Sequence, residues 1–284
     1  MKAVEDYIAK HYQPSSRVAY VYGVRLFMDW IGVEKASVAT YSDIVDYLNY
    51  LRRGERKART LNNYLFAVKI YYHYLRDAGQ RADHPCERLQ LKDQYDRAIH
   101  LEKLYSPEQL QQLEQREWRK SKKLVSRNRV IVSLLIHQAL MVSEITTLQV
   151  GSVDLKTGWI AVEASALNRA RRLPLQSSQI LLLHEYIQVH RPKMDHPQLI
   201  LNYGGQPLHP HAISRIINGK RPAADRFLPL RIRQSVIASL LKSGHDLRLV
   251  QTFAGHRQIS TTEAYRQTEL DELRASIEKH HPLQ

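Results

Sequence analysis

The sequence predicts a mainly α-helical fold in two units, the second carrying a small antiparallel sheet, and three observations carry that expectation. Apolar residues recur at spacings of three and four along most of the 284 residues. The period fails between Gly79 and Leu104, dividing the chain into a shorter and a longer part. In the longer part, two strand-like runs at 159–162 and 172–175 flank a basic tip at 168–171. The length also suits two cores better than one.

The first patterned helix follows a turn at Pro14-Ser15-Ser16, where a serine is expected to cap it. Val18, Val21, Tyr22, Val24, Leu26, Phe27 and Trp30 follow that turn. A second helix starts near Thr40, with Thr40 or Ser42 as cap and Ile44, Tyr47, Leu48 and Leu51 inward. A third spans 60–76 and carries Tyr64, Leu65, Val68, Tyr71, Tyr72 and Leu75. Before it lies the basic run Arg52, Arg53, Arg56, Lys57 and Arg59. A compact basic turn opening a helix offers both charge and backbone N–H groups to phosphates, and it also fits a plain solvated turn. Asp83-His84-Pro85-Cys86 and the charged stretch after it read as an exposed linker. The expected division is 1–92, a linker at 93–105, and 106–284.

Ser106-Pro107-Glu108-Gln109 is a helix start, with a cap, proline at the first helical position and an acidic first turn. Residues 129–148 form a helix pair or one bent helix, and the hairpin follows. Further helices are expected at 176–190, 209–218, 230–243, 246–254 and 269–279.

Charge points to a partner. The 42 Lys and Arg against 28 Asp and Glu give +14. Both parts share it: 16 basic against 12 acidic residues over 1–97, and 26 against 16 over 98–284. A polyanion is favoured because each phosphate neutralised releases counterions; a basic surface for a membrane face is the competing reading. A single cysteine, Cys86, excludes an internal disulfide and a cysteine-based zinc cluster, and it suits a reducing cytoplasm. The first residues have no apolar signal core, and no run approaches the ~18 apolar residues of a membrane span. The pairs His209/His211 and His280/His281 lack carboxylate or cysteine company, so no metal is expected. No cofactor is expected either.

The strongest local signal runs through Leu230-Arg231-Ile232-Arg233-Gln234, Gly244-His245-Asp246-Leu247, Ala254-Gly255-His256 and Ser260-Thr261-Thr262-Glu263-Ala264-Tyr265. These runs resemble, at matching spacing, the C-terminal half of the catalytic domain of tyrosine recombinases and phage integrases of the Xer type. Leu140-Met141-Val142-Ser143-Glu144-Ile145 and the hairpin extend the likeness backwards. The resemblance implies an N-terminal SAM-like helical domain, a helical catalytic domain with a small sheet, and the clamping of double-stranded DNA. It also implies a reaction in which a tyrosine phenolate attacks a phosphodiester to give a 3′-phosphotyrosine, with no metal or nucleotide.

Carried over position by position, Arg233 is the second arginine, His256 the histidine after glycine, and Tyr265 the nucleophile. Met141 stands at the first arginine, Leu230 at the first histidine, Gln234 at the following His or Lys, and Ala166 at the hairpin lysine. Arg169, Arg171 and Arg172 at the hairpin are expected to face DNA, Arg169 or Arg171 near the missing lysine; a solvated turn is the alternative. For His256, capping the turn after Gly255 competes evenly with a catalytic role. The segment 269–279 places Leu270, Leu273 and Ile277 on one face, implying self-association on DNA or folding back on its own domain. The expected protein is a DNA-binding pseudo-recombinase, regulating a locus or accompanying an active homologue. The alternative is a working recombinase for DNA integration or recombination, completed by a partner subunit.

Overall fold

The computed structural model describes residues 1–92, 99–118 and 121–266, together with the backbone but not the side chain of Ser15. The expected helix at 269–279, and residues 93–98 of the expected linker, lie outside that description. The chain divides into two compact units, Met1–Arg97 and Ala98–Gln284.

The first unit is helical: α1 (Lys2–His11), α2 (Pro14–Ile31), the single turn α3 (Val33–Ala36), α4 (Tyr41–Arg53) and α5 (Ala58–Asp77). Helix α1, which the spacing had not singled out, buries Val4 and Ile8. Helix α2 begins at Pro14 with Gln13 as cap, so the expected serine cap is corrected: proline occupies the first helical position and the serines lie within the first turn. Helices α2 and α5 approach closely at Gly23, where a Cβ would stand 2.6 Å from the Ala67 Cβ. Thr40 and Asp43 form a reciprocal capping box at the head of α4. Phe27, Tyr47 and Tyr72 stack edge-on in the core beneath.

Residues 79–92 correct a second expectation. They run along the first unit rather than away from it. Arg81 donates from Nη1 to the carbonyls of Ser37 and Ala39 at 3.1 and 2.9 Å. Its other nitrogens fork onto Asp83 at 2.8 and 2.9 Å. Cys86 is buried in the same core, with Leu89 and Leu91 packed behind it. Arg81 anchors the segment and Cys86 plugs it, which a loss of helical period could not reveal.

The second unit starts with α6 (Pro107–Glu114), whose Ser106–Gln109 capping box matches the sequence signal. It continues through α7 (Lys122–His137), α8 (Val142–Thr147), β1 (Val153–Asp154), β2 (Trp159–Val162), β3 (Arg171–Pro174) and α9 (Ser177–Glu185). Then follow α10 (Pro210–Asn218), α11 (Pro229–Lys242) and α12 (Leu247–Ala254), and 259–266 are again helical. The run 129–148 is therefore a helix pair, broken at 138–141. The sheet has the order β1-β2-β3, all antiparallel, with Ile160 opposite Leu173 and Val162 opposite Arg171. Alternation turns Ile160, Val162 and Leu173 onto α7 and α9, burying them with Ile131, Leu134, Leu135 and Leu183. A smaller cluster gathers Ile99, Ile237, Val250, Ala254 and Tyr265. The last part of the expected linker is thus packing material, since Leu101 and Leu104 also cover that cluster.

Candidate functional site

Tyr265 is 7% exposed in the small cluster between α11 and α12. Burial pushes its phenol up to about 12, against a smaller downward pull from the Arg233 guanidinium. The His256 ring lies nearly parallel to it, with centroids 6.5 Å apart. His256 Nδ1 shares a hydrogen bond of 2.8 Å with the Thr262 hydroxyl. Burial and the charges of Arg233 and Arg171 hold the imidazole down at about 4, so it is neutral near pH 7.

Arg233, one turn into α11, is 4% exposed. Its Nη1 donates to the Ala139 carbonyl at 2.6 Å and its Nη2 to the Ala254 carbonyl at 2.5 Å. Those two carbonyls belong to the break between α7 and α8 and to the end of α12. The guanidinium thus ties both to α11 while keeping a charge that these neutral acceptors do not cancel. Ala139 reaches this position with φ of 48°, a left-handed conformation unusual for a residue with a Cβ.

Beside this arginine lies a second buried cation. Arg171 is 7% exposed and makes a two-pronged ion pair with Glu144, Nη1 to Oε1 at 2.8 Å and Nη2 to Oε2 at 2.9 Å. The Asn168 amide adds a bond to Glu144 Oε1 at 2.8 Å and touches the Met141 sulfur at 3.0 Å. The Met141 backbone N–H completes the set on Oε2 at 2.9 Å. Burial alone would raise the Glu144 carboxyl, but this company of donors holds it below its ordinary value. Arg171 also lies tight under Gly255, where a Cβ would stand 2.7 Å from Nη1.

The hairpin turn is fastened to the loop bearing His256. The Arg169 N–H donates to the Gly255 carbonyl at 2.7 Å, and Asn168 bridges His256 in antiparallel fashion. The Arg169 guanidinium reaches the Arg257 carbonyl at 3.0 Å, and Arg257 returns a bond to the Ser165 carbonyl at 2.7 Å.

The structure therefore gathers Tyr265, Arg233 and His256, and sets Met141 beside them through Asn168. Leu230, in the first turn of α11, is 59% exposed; Gln234 is half-buried on the same helix. Ala166 is exposed in the β2–β3 turn. Among the three hairpin arginines, Arg169 and Arg172 are exposed, Arg172 lying over the Trp159 ring at 5.2 Å. The expectation of a DNA-facing Arg171 is corrected: it points inward on β3 opposite Val162, and Glu144 holds it there. Arg52, Arg53, Arg56, Lys57 and Arg59 are all exposed around the α4–α5 turn. Residue types had not singled out Glu144, Asn168 or Thr262. A glutamate between apolar helices, three residues after Met141, was the available signal for the first.

Among the described residues, no helix is long and apolar enough to cross a membrane, and no three His, Cys, Asp or Glu side chains gather as for a metal ion. Fold and cluster define a helical protein of two units in which a buried tyrosine lies beside a histidine and an arginine. Residues 103–271 match the phage integrase family, and residues 1–80 match the phage integrase N-terminal SAM-like domain. The chain is 26% identical over 276 residues to tyrosine recombinase XerD of Listeria monocytogenes serotype 4b, covering 93% of this chain and 91% of that one. It is 27% identical over 287 residues to tyrosine recombinase XerC of Halalkalibacterium halodurans, covering 96% and 93%. In fold it resembles the XerH site-specific recombinase bound to palindromic difH substrate, with TM-score 0.69, 20% identity and coverage of 92% and 78%. It also resembles the Tn1549 transposon integrase in complex with transposon right end DNA, with TM-score 0.63, 15% identity and coverage of 95% and 99%. The chain belongs to the phage integrase family, as a tyrosine recombinase relative.

Proposed function

We propose that this protein binds duplex DNA in recombination, and that its own strand cleavage is strongly impaired. In this reading Tyr265 is the nucleophile, Arg233 the phosphate clamp and His256 a neutral donor or acceptor beside them. One observation carries the impairment: a thioether at Met141, a methyl at Ala166 and an exposed leucine at Leu230 occupy positions where the chemistry needs donors. Removing one preorganised donor to a transition-state oxyanion costs about 2.7–4 kcal/mol, or ~10²–10³ in rate. A missing general acid adds a further factor of about 10²–10⁴, though such losses do not add. The phenol itself starts far from its ionised form, since burial holds it at about 12. Two of the structural relatives, solved with transposon end DNA and with a difH substrate, support the choice of partner.

DNA contact is assigned to the exposed cations of each unit. Arg52, Arg53, Arg56, Lys57 and Arg59 serve in the first, and Arg169 and Arg172 in the second. Residues 1–92 then form the SAM-like DNA-binding domain and 106–284 the catalytic-type domain. Association with further copies, or with an active recombinase, supplies what positions 141, 166 and 230 lack.

A second reading, an active recombinase, is favoured by the gathering of Tyr265, His256 and Arg233 in one cluster. Incubation with nicked suicide duplexes separates the two. The impaired reading expects tight binding and no covalent adduct above the Tyr265→Phe background. A robust adduct from the wild type, lost in Tyr265→Phe, would instead establish the second reading. Restoring Met141→Arg, Leu230→His and Ala166→Lys together is expected to raise adduct yield in a Tyr265-dependent way; no gain refutes the assignment of these positions.

A further inference from the structure

A basic cavity lies in the second unit and shares no lining residue with the Tyr265 cluster. It has a volume of about 870 Å³ and is walled by residues 116–118, the first half of α7, α10 and the residues just beyond it. Arg116, Arg127, Arg215 and Lys220 line it, and Glu117 is the one acid on that lining among the described residues.

Arg127 sets the electrostatics. It is 8% exposed, yet its guanidinium meets neutral acceptors: Asn128 Oδ1 at 3.2 and 2.8 Å, and the Leu201 carbonyl at 3.4 Å. A charge withdrawn from water and set against neutral oxygens is costly unless an anion completes it. Arg116 behaves similarly. It donates to the Ile217 carbonyl at 2.6 Å and covers the Trp118 ring at 4.7 Å.

Two buried donors on the same lining have no acceptor among the described residues. These are Asn128 Nδ2 and Trp118 Nε1. A buried N–H without a partner marks a site where something with acceptor oxygens belongs. Water has such an oxygen but carries no charge to balance Arg127. Guanidinium groups pair with oxyanions, and several N–H donors on one lining match the several oxygens of a phosphate. Leu208 and Ile216 give the cavity an apolar wall, and its volume falls in the ~300–1,000 Å³ range of small-molecule sites.

We infer that this cavity is a binding site for a phosphoryl group on a nucleotide-sized ligand, with Arg127 and Asn128 at its floor and Arg215 and Lys220 at its rim. The same chemistry is offered by a free phosphorylated small molecule and by a phosphate of the nucleic-acid backbone. The inference does not rest on the reading of Tyr265, and it survives if that reading fails.

The decisive variant is Asn128→Asp, which places a carboxylate against Arg127 inside an otherwise unchanged cavity. The full chain and the variant are melted with and without pyrophosphate, with chloride matching the ionic strength. Pyrophosphate is expected to raise the melting temperature of the wild type by mass action. Asn128→Asp is expected to melt higher on its own and to respond to pyrophosphate at least tenfold more weakly in apparent affinity. A merely structural asparagine would move the first quantity and leave the second alone. Equal pyrophosphate responses in the two proteins, or no response in the wild type combined with no effect of the variant on DNA binding, overturn the inference. The source is read from duplex binding against salt. A slope of log affinity on log salt lower by about 0.9 in Asn128→Asp assigns the site to one backbone phosphate. An unchanged slope with a lost pyrophosphate response assigns it to a free ligand. Should Asn128→Asp not fold, the rim variant Arg215→Ala with Lys220→Ala, both exposed, is measured in the same way, and an unaltered pyrophosphate response there refutes the site.

Discussion

Gly255 occupies one of the most constrained positions in the molecule. Its φ of 73° closes α12, and its missing side chain lets Arg171 lie beneath it. Gly255→Ala is expected to destabilise the protein by about 1–3 kcal/mol, through left-handed strain and displacement of Arg171 from Glu144. Denaturant titration measures this. His256 supplies a pH dependence of known sign. Its folded value of about 4 lies below the ordinary 6.5, so the unfolded chain binds more protons between them. The contribution of His256 is fully present above about 6.5 and is lost as pH falls toward 4. It amounts to about 3 kcal/mol across that window, and His256→Asn is expected to flatten the stability curve there. The motif residues Tyr265, Arg233 and His256 were legible because each stands in a short run whose order and spacing carry the family resemblance. Glu144 and Arg171 were not legible as a pair, because 27 residues separate them and an ion pair formed across a fold leaves no period in a sequence.

Elements were legible where their ends carry their own chemistry. Thr40 with Asp43, and Ser106 with Gln109, announce helix starts because the side chains that close the first turn lie three residues apart. Thr40→Ala is expected to lower stability of the first unit by about 1 kcal/mol, read as a shift in the α4 amide exchange rates or in thermal melting. The hairpin was legible within one residue, since alternation sets β2 and β3. Its tip was not, because a run of polar residues reads as solvated when nothing local says that Asn168 and Arg171 have buried partners. Helix α1 was passed over because ten residues with only Val4 and Ile8 buried carry too short an apolar pattern. The segment 79–92 misled for the opposite reason: polar, proline-containing sequence packs by single anchors such as Arg81.

At the scale of the whole molecule, charge is the most legible property. The net +14 is spread over both parts of the chain, and the cations at 52–59, 169 and 172 are among the exposed ones. DNA affinity is therefore expected to fall by about 10³-fold or more between ~50 and ~200 mM salt, as for proteins that neutralise six or more phosphates. A flat response in filter-binding or anisotropy titrations contradicts binding through the phosphate backbone. Neutralising Arg56, Lys57 and Arg59 together is expected to shallow that slope without changing the melting temperature, since all three are exposed.

Cys86 gives the first unit a built-in clock. Its thiol is buried beneath the segment that Arg81 anchors, and burial pushes it up to about 12, so neither access nor ionisation favours reaction in the closed state. With one cysteine in the whole sequence, every alkylation event reports a single opening of that segment. The labelling rate, followed by mass, converts the packing of 79–92 into an opening equilibrium. Adding DNA to the same measurement then registers whether nucleic acid tightens the first unit from within, with no label engineered into the protein.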